Sequence, residues 1–103
     1  MLILTADNLP NKQFEVLGLV KGSVVRAKHI GRDFMAGLKS IVGGEIKGYT
    51  ELLNEARSIA TERMVAEAQN MGANAIICVR YSTCSVMDGA SEVMAYGTAV
   101  RLF

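Results

Sequence analysis

Tryptophan is absent from this chain, and proline and histidine occur once each among 103 residues. Only six residues are aromatic and two are cysteine. A structural zinc site usually needs four ligands in pairs of short spacing. The sequence has no CxxC, no CxH and no HxxxH. Charge of one sign is also lacking: the formal net charge is +1 and no run of Lys and Arg exceeds two residues. That balance gives no indication of a nucleic-acid or anionic-membrane partner. No apolar stretch approaches the ~18 residues that span a bilayer. The start, "MLILTADNLP", lacks the basic leader and long apolar segment of a signal peptide. The expectation is a cytoplasmic protein whose two cysteines are reduced thiols. With no repeat and no low-complexity segment, residues 1–103 read as a single domain.

What is present is apolar. Half of the chain is hydrophobic, and a domain of this size buries only roughly two-thirds of its unfolded surface. Such a chain has more apolar surface than one protomer hides, which favours self-association.

"LILT" (Leu2 to Thr5) reads as a short strand, followed by a polar turn around Pro10. "FEVLGLVKGSVVRA" (Phe14 to Ala27) reads as a long strand with Val16, Val20 and Val24 on one parity and Leu17, Leu19 and Val25 on the other. Both faces are apolar, so both are expected to be covered. Phe34, Leu38, Ile41 and Val42 fit a short helix, with Asp33 near its start, Lys39 near its end and Gly43-Gly44 as its cap. Leu53, Ala56, Ala60, Met64, Ala68 and Met71 step by three or four, which predicts a helix of about 22 residues. Gly48 or Thr50 is its expected N-cap and Gly72 its C-terminal cap. "NAIICVRYST" predicts a strand with Ala75, Ile77, Val79 and Tyr81 on one side and Ile76, Cys78 and Arg80 on the other. Asp88-Gly89 signals a hairpin into the last strand, where Met94, Tyr96, Val100 and Leu102 share a face. The order implies a two-layer α+β sandwich, with a long helix over a three-stranded antiparallel sheet, a short N-terminal strand and a short extra helix.

"GGEIKGYTELL" (Gly43 to Leu53) has three glycines in six residues ahead of the long helix. Lys47 precedes its glycine, so the stretch is not GxxxxGK[ST], nor is it GxGxxG. It reads as a helix–turn–helix joint. Lys47, Gly48, Tyr49 and Thr50 are the candidates for a subunit contact or for a small anion at the helix N-terminus.

In sequence order, "DFMAGLKSIVGGEIKGYTELL", "EAQNMGANAIICVRYS" and "EVMAYGTAV" together resemble the YbjQ-like family of bacterial proteins, labelled heavy-metal-binding. The resemblance spans residues 14 to 101 without large gaps. It implies a dodecin-like subunit and a ring, a homopentamer, in which the sheets of neighbours are brought together. It brings no assigned reaction and no verified ligand.

Candidate metal ligands are Cys78, Cys84 and His29, for a divalent or soft metal ion. Six residues of extended strand hold two side chains about 20 Å apart, whereas two thiolates on one zinc lie within about 4 Å of each other. One straight strand therefore cannot supply both cysteines to one ion. A bend, or contributions from several subunits around an axis, is required. Without a metal, Cys78 reads as a small core residue and Cys84 as an incidental thiol. Catalysis needs a nucleophile, a base and an orienting group, and no such set stands out, so the chain reads as no enzyme. Arg80, mid-strand among apolar neighbours, calls for an acceptor: Glu92 across the hairpin or a carboxylate of a neighbouring subunit, unless it lies on a solvated face. The function implied is a homo-oligomeric binding module. A scaffold without ligand is the alternative, and an enzyme with a site shared between subunits comes third.

Overall fold

A computed structural model of the chain describes residues 1–27, 41–42 and 45–103. The elements are β1 (Leu2–Ile3), β2 (Phe14–Ala27), β3 (Ile41–Val42), β4 (Glu45–Ile46), α1 (Lys47–Asn70), β5 (Ala75–Met87) and β6 (Ala90–Leu102). The main sheet has four strands in the order β1-β5-β6-β2. β5 and β6 are antiparallel, as are β6 and β2, while β1 runs parallel to β5. The expected three-stranded antiparallel sheet is thus extended by the N-terminal strand into a mixed sheet of four. β2 has the bounds that its Val- and Leu-rich run predicts.

α1 lies across one face of this sheet. Ala56, Ala60, Met64 and Ala68 are wholly buried against Val20, Val24, Ile76, Val79, Val93, Ala95 and Ala99. The contact is close because both sides are small. Gly22 of β2 sits directly beneath the helix, and a Cβ built there would stand 2.4 Å from the Ala60 carbonyl oxygen and the Met64 nitrogen. The helix ends in a Schellman motif. Ala73 N–H donates to Ala68 O and Gly72 N–H to Gln69 O, each at 3.0 Å, with Gly72 at φ +84°. Asn74 then ties the sheet. Its side-chain oxygen accepts from Leu102 N–H at 2.7 Å and its amide donates to Leu102 O at 3.2 Å.

Three sequence expectations are corrected. Ile41 and Val42 are not the end of a helix: they form β3, paired antiparallel with β4 in the register Ile41↔Ile46 and Val42↔Glu45. Two β-branched residues before a two-glycine connection are a hairpin signal, and it outweighs the helical spacing. The rest of that expected helix, with Phe34, Asp33, Lys39, Gly43 and Gly44, lies outside the described residues, as does His29. Second, α1 begins at Lys47, so Gly48 and Thr50 both lie within its first turn and neither caps it. The helix–turn–helix joint gives way to a hairpin running into a helix.

Third, both long strands carry bulges that break the simple alternation. In β2 the register shifts between Val16 and Gly18. Val16 therefore stands opposite Val100 on the face away from the helix, while Val20 and Val24 face the helix. In β5 the register shifts between Ile77 and Arg80. Ala75 and Ile77 pack with Val100 in a second, smaller cluster away from the helix, whereas Val79 joins Ile76 beneath it. The expected common side for Ala75, Ile77, Val79 and Tyr81 does not exist.

Candidate functional site

The bulge in β5 is built around Cys78, whose φ of +56° lies in the left-handed region. An L-residue there carries a cost of about 1–2 kcal/mol, which the surrounding ladder imposes. Cys78 N–H donates to Ala6 O at 2.9 Å and Val79 N–H to Leu4 O at 3.0 Å. These bonds hold the segment after β1 alongside the bulge. Across the sheet stands Gly97, fully enclosed: a Cβ there would meet Ile77 O and Ile76 Cγ2, both at 2.9 Å. The Cys78 side chain is half-buried and packs against Ala75, Ile77 and Val100.

Cys84 lies six residues on. It is exposed, and its backbone pairs with Glu92 on the face away from α1. A bulge shortens the strand between the two thiols by little more than one residue, so they remain on the order of 20 Å apart. Among the described residues, no three of His, Cys, Asp and Glu come together as a metal cluster. The cysteines of one chain thus do not fit a closed metal site within the described residues.

Arg80 is exposed. Its guanidinium donates to the carbonyl oxygens of Thr5 (3.0 Å) and Val79 (2.9 Å). Glu92 is not its partner, since Glu92 pairs with Cys84 while Arg80 pairs with Tyr96. Arg80 instead pins the N-terminal segment to the sheet. Tyr81 turns to the helix side and its hydroxyl meets Thr61 Oγ1 at 2.7 Å. At the other end of the helix, Gly48, Tyr49 and Thr50 are all half-buried in the first turn. Lys47 is the first helical residue.

The feature that the sequence reading did not locate is the shape of the uncovered surface. α1 covers one face only. On the other, Val16, Leu19 and Val25 of β2 are 62%, 66% and 56% exposed, with Tyr96 of β6 beside them. The alternation of apolar residues in β2 was the available signal, because it shows a second apolar face that a single helix cannot cover. The β5–β6 hairpin also projects. Every residue from Arg80 to Asp88 is exposed, and Val86 and Met87 near its tip are apolar. β1 and the residues after it line the outer edge of β5 only as far as Val79. Beyond that, among the described residues, β5 has a strand neighbour on one side alone.

Comparison with known proteins agrees with this architecture. A crystal structure of a protein of unknown function from Pediococcus pentosaceus, in the DUF74 family, superposes with a TM-score of 0.67 at 17% identity, covering 100% of this chain and 98% of that one. At that identity the likeness speaks for the fold. Sequence relatives are nearer. A "UPF0145 protein" of Psychromonas ingrahamii is 57% identical over 103 residues, 99% of this chain and 98% of its own length. Another from Helicobacter hepaticus is 66% identical over 91 residues, 88% of each chain. The protein DET1617 of Dehalococcoides mccartyi is 63% identical over 100 residues, 97% of this chain and 96% of its own length. The family model described as "Putative heavy-metal-binding" matches residues 1–103. With the helix–sheet frame and these matches together, the chain belongs to the YbjQ family of UPF0145 proteins.

Proposed function

We propose that the protein is a small homo-oligomeric binding module of the cytoplasm. Five copies form a ring, and a metal ion or small ligand is held where subunits meet. The observation that carries the reading is the bare sheet face. Val16, Leu19 and Val25 lie exposed on the face of β2 away from α1, with no helix over them among the described residues. Scattered apolar residues are ordinary on a protein surface; here Lys21 and Ser23 interrupt the β2 row, but Tyr96 and Met94 of β6, opposite them on the same face, continue the apolar patch, and such a patch marks an interaction site. A second copy supplies the cover at no cost in new sequence.

The ligand part of the reading rests on the family's heavy-metal description. One chain presents Cys84 singly on its exposed face, but a closed ring repeats that thiol around the axis. A set of equivalent sulfurs then exists only in the assembly.

Two measurements test the proposal. Light scattering on a sizing column should report about five times the mass of the 11.1 kDa chain; a monomer refutes the assembly. Zinc, copper and nickel titrated into metal-free protein by calorimetry should give heat with at least one ion, lost in Cys78→Ser/Cys84→Ser. No heat from any of them reduces the protein to a scaffold without ligand.

A further inference from the structure

We infer that the β5–β6 hairpin carries a soft-cation site of three sulfurs. The Cys84 thiol and the Met87 and Met94 thioethers, with the Glu92 carboxylate beside them, would take a monovalent ion of the Cu(I) type. This rests on the ligand part of the reading above and gives Cys84 further donors within its own chain.

The placement follows from the register. Residues directly opposite each other in an antiparallel pair share a face. Val93 and Ala95 of β6 are buried beneath α1, so Glu92 and Met94 project from the other face. Cys84 stands opposite Glu92, and Ser82 opposite Met94, which puts the thiol on that face as well. Strict alternation along "CSVM" would place Val86 next to Cys84 and turn Met87 to the helix side. The second bulge of β5, between Ser85 and Met87, prevents this. Met87 pairs with Ala90, which has the parity of Glu92 and Met94. The extra residue thus swings the Met87 thioether round to the thiol. Re-aiming a side chain is a recurrent use of bulges beside functional sites.

The spacings suit one ion. Diagonal neighbours across a pair, such as Cys84 and Met94, lie about 7–8 Å apart. One same-face step along a strand, from Cys84 to Met87, is about 7 Å. Methionine is unbranched with three rotatable bonds, so its sulfur can close such gaps. Met87 is 67% exposed and Met94 half-buried, which leaves both free to turn. The thiol itself makes only a long bond, to Ser85 O at 3.5 Å. The Glu92 side chain is half-buried and has no hydrogen-bond or ion-pair partner among the described residues. The donor set selects the metal. A structural zinc site takes four Cys, His or carboxylate ligands, and no three of His, Cys, Asp and Glu come together among the described residues. Thiolate and thioether sulfurs instead select Cu(I). On binding, the Cys84 S–H bond breaks, its proton leaves to solvent, and the thiolate joins the ion. The two thioethers donate lone pairs, and no electron is transferred. The thiolate cancels the ion's single charge, and Glu92 keeps the local field attractive to a cation.

Competition for Cu(I) against bicinchoninate, under nitrogen with ascorbate, tests the site in a Cys78→Ser background. The background protein should take one Cu(I) per chain. Cys84→Ser should lose it. Met87→Leu and Met94→Leu should each weaken it by more than tenfold, with circular dichroism unchanged, because leucine keeps the volume of methionine. Protein labelled with carbon-13 at the methionine methyl groups reads the ligands directly. The Met87 and Met94 signals should move as Cu(I) is added, while that of Met71, 38% exposed just beyond α1, should stay. Unchanged affinity in both leucine variants, or Met87 and Met94 signals that do not move, would overturn the inference. So would one Cu(I) per oligomer, which would put the ion on a ring axis, and so would a protein that holds zinc but not Cu(I). Each of these outcomes leaves the ligand reading standing. No binding of Cu(I), zinc, copper(II) or nickel would instead overturn the ligand reading itself, and this inference with it.

Discussion

A methyl group on Gly22 would lie 2.4 Å from two backbone atoms of α1. Backbone cannot swing aside as a flexible side chain can, so the whole helix would have to lift from the sheet. Gly22→Ala should lower the unfolding free energy by about 3 kcal/mol, at the upper end of overpacking costs. Gly72 is the opposite case. A Cβ there meets nothing within 4 Å, but φ is +84°, so the cost of Gly72→Ala is conformational and comes to about 1 kcal/mol. Gly72→Asn should cost less, because Asn tolerates the left-handed region. Urea denaturation at one fixed protein concentration would order the three. Equal losses for Gly22→Ala and Gly72→Ala would contradict the distinction between space and angle. Gly72 was legible in the sequence because it follows the last step of a helical stripe. The role of Gly22 was only half legible: a glycine inside a strand suggests close approach, but nothing local says that Ala60 is what approaches.

Elements with strong local periodicity were readable, and those shaped by pairing were not. The stripe Ala56–Ala60–Met64–Ala68 fixes the buried face of α1, and Asp88-Gly89 fixes the β5–β6 turn. The side of each β5 residue, in contrast, depends on one extra residue at Cys78, and a bulge of that kind has no sequence signature when Gly is absent from it. A signal existed across the sheet. Gly97 in "AYGTAV" is the residue that lets the bulged strand come close. The two are therefore coupled, and Gly97→Ala should disturb the β5 register more than its volume suggests. We expect a loss of roughly 2 kcal/mol, with faster amide exchange at Cys78 and Val79, whose N–H groups bond Ala6 and Leu4. Unchanged exchange at those two amides would show that the bulge does not depend on Gly97. The cysteines illustrate the same limit. Their spacing showed that a straight strand could not bring them together, but not that Cys78 would turn into the body of the sheet while Cys84 stayed in solvent.

For the molecule as a whole, a single chain is a poor container for its apolar residues. The accessible surface is 6632 Å², whereas a compact monomer of 11.1 kDa is expected to expose about 5,700 Å². The excess, roughly 1,000 Å², is similar to the ~800 Å² that one partner contributes to a standard interface. The shape is long, 53 × 25 × 17 Å, as strands of 13 and 14 residues require. If association covers the bare face, folding and assembly are linked by mass action, and the melting temperature must rise with protein concentration. Leu19 is the most direct handle, being 66% exposed in the single chain and thus free of any role in its core. Leu19→Lys should leave the helical signal intact, break the oligomer and remove the concentration dependence. Scanning calorimetry of the wild type and Leu19→Lys over a hundredfold range of concentration separates the cases. A melting temperature that does not move with wild-type concentration, or a Leu19→Lys protein that assembles as before, would show that this face is not where the subunits meet.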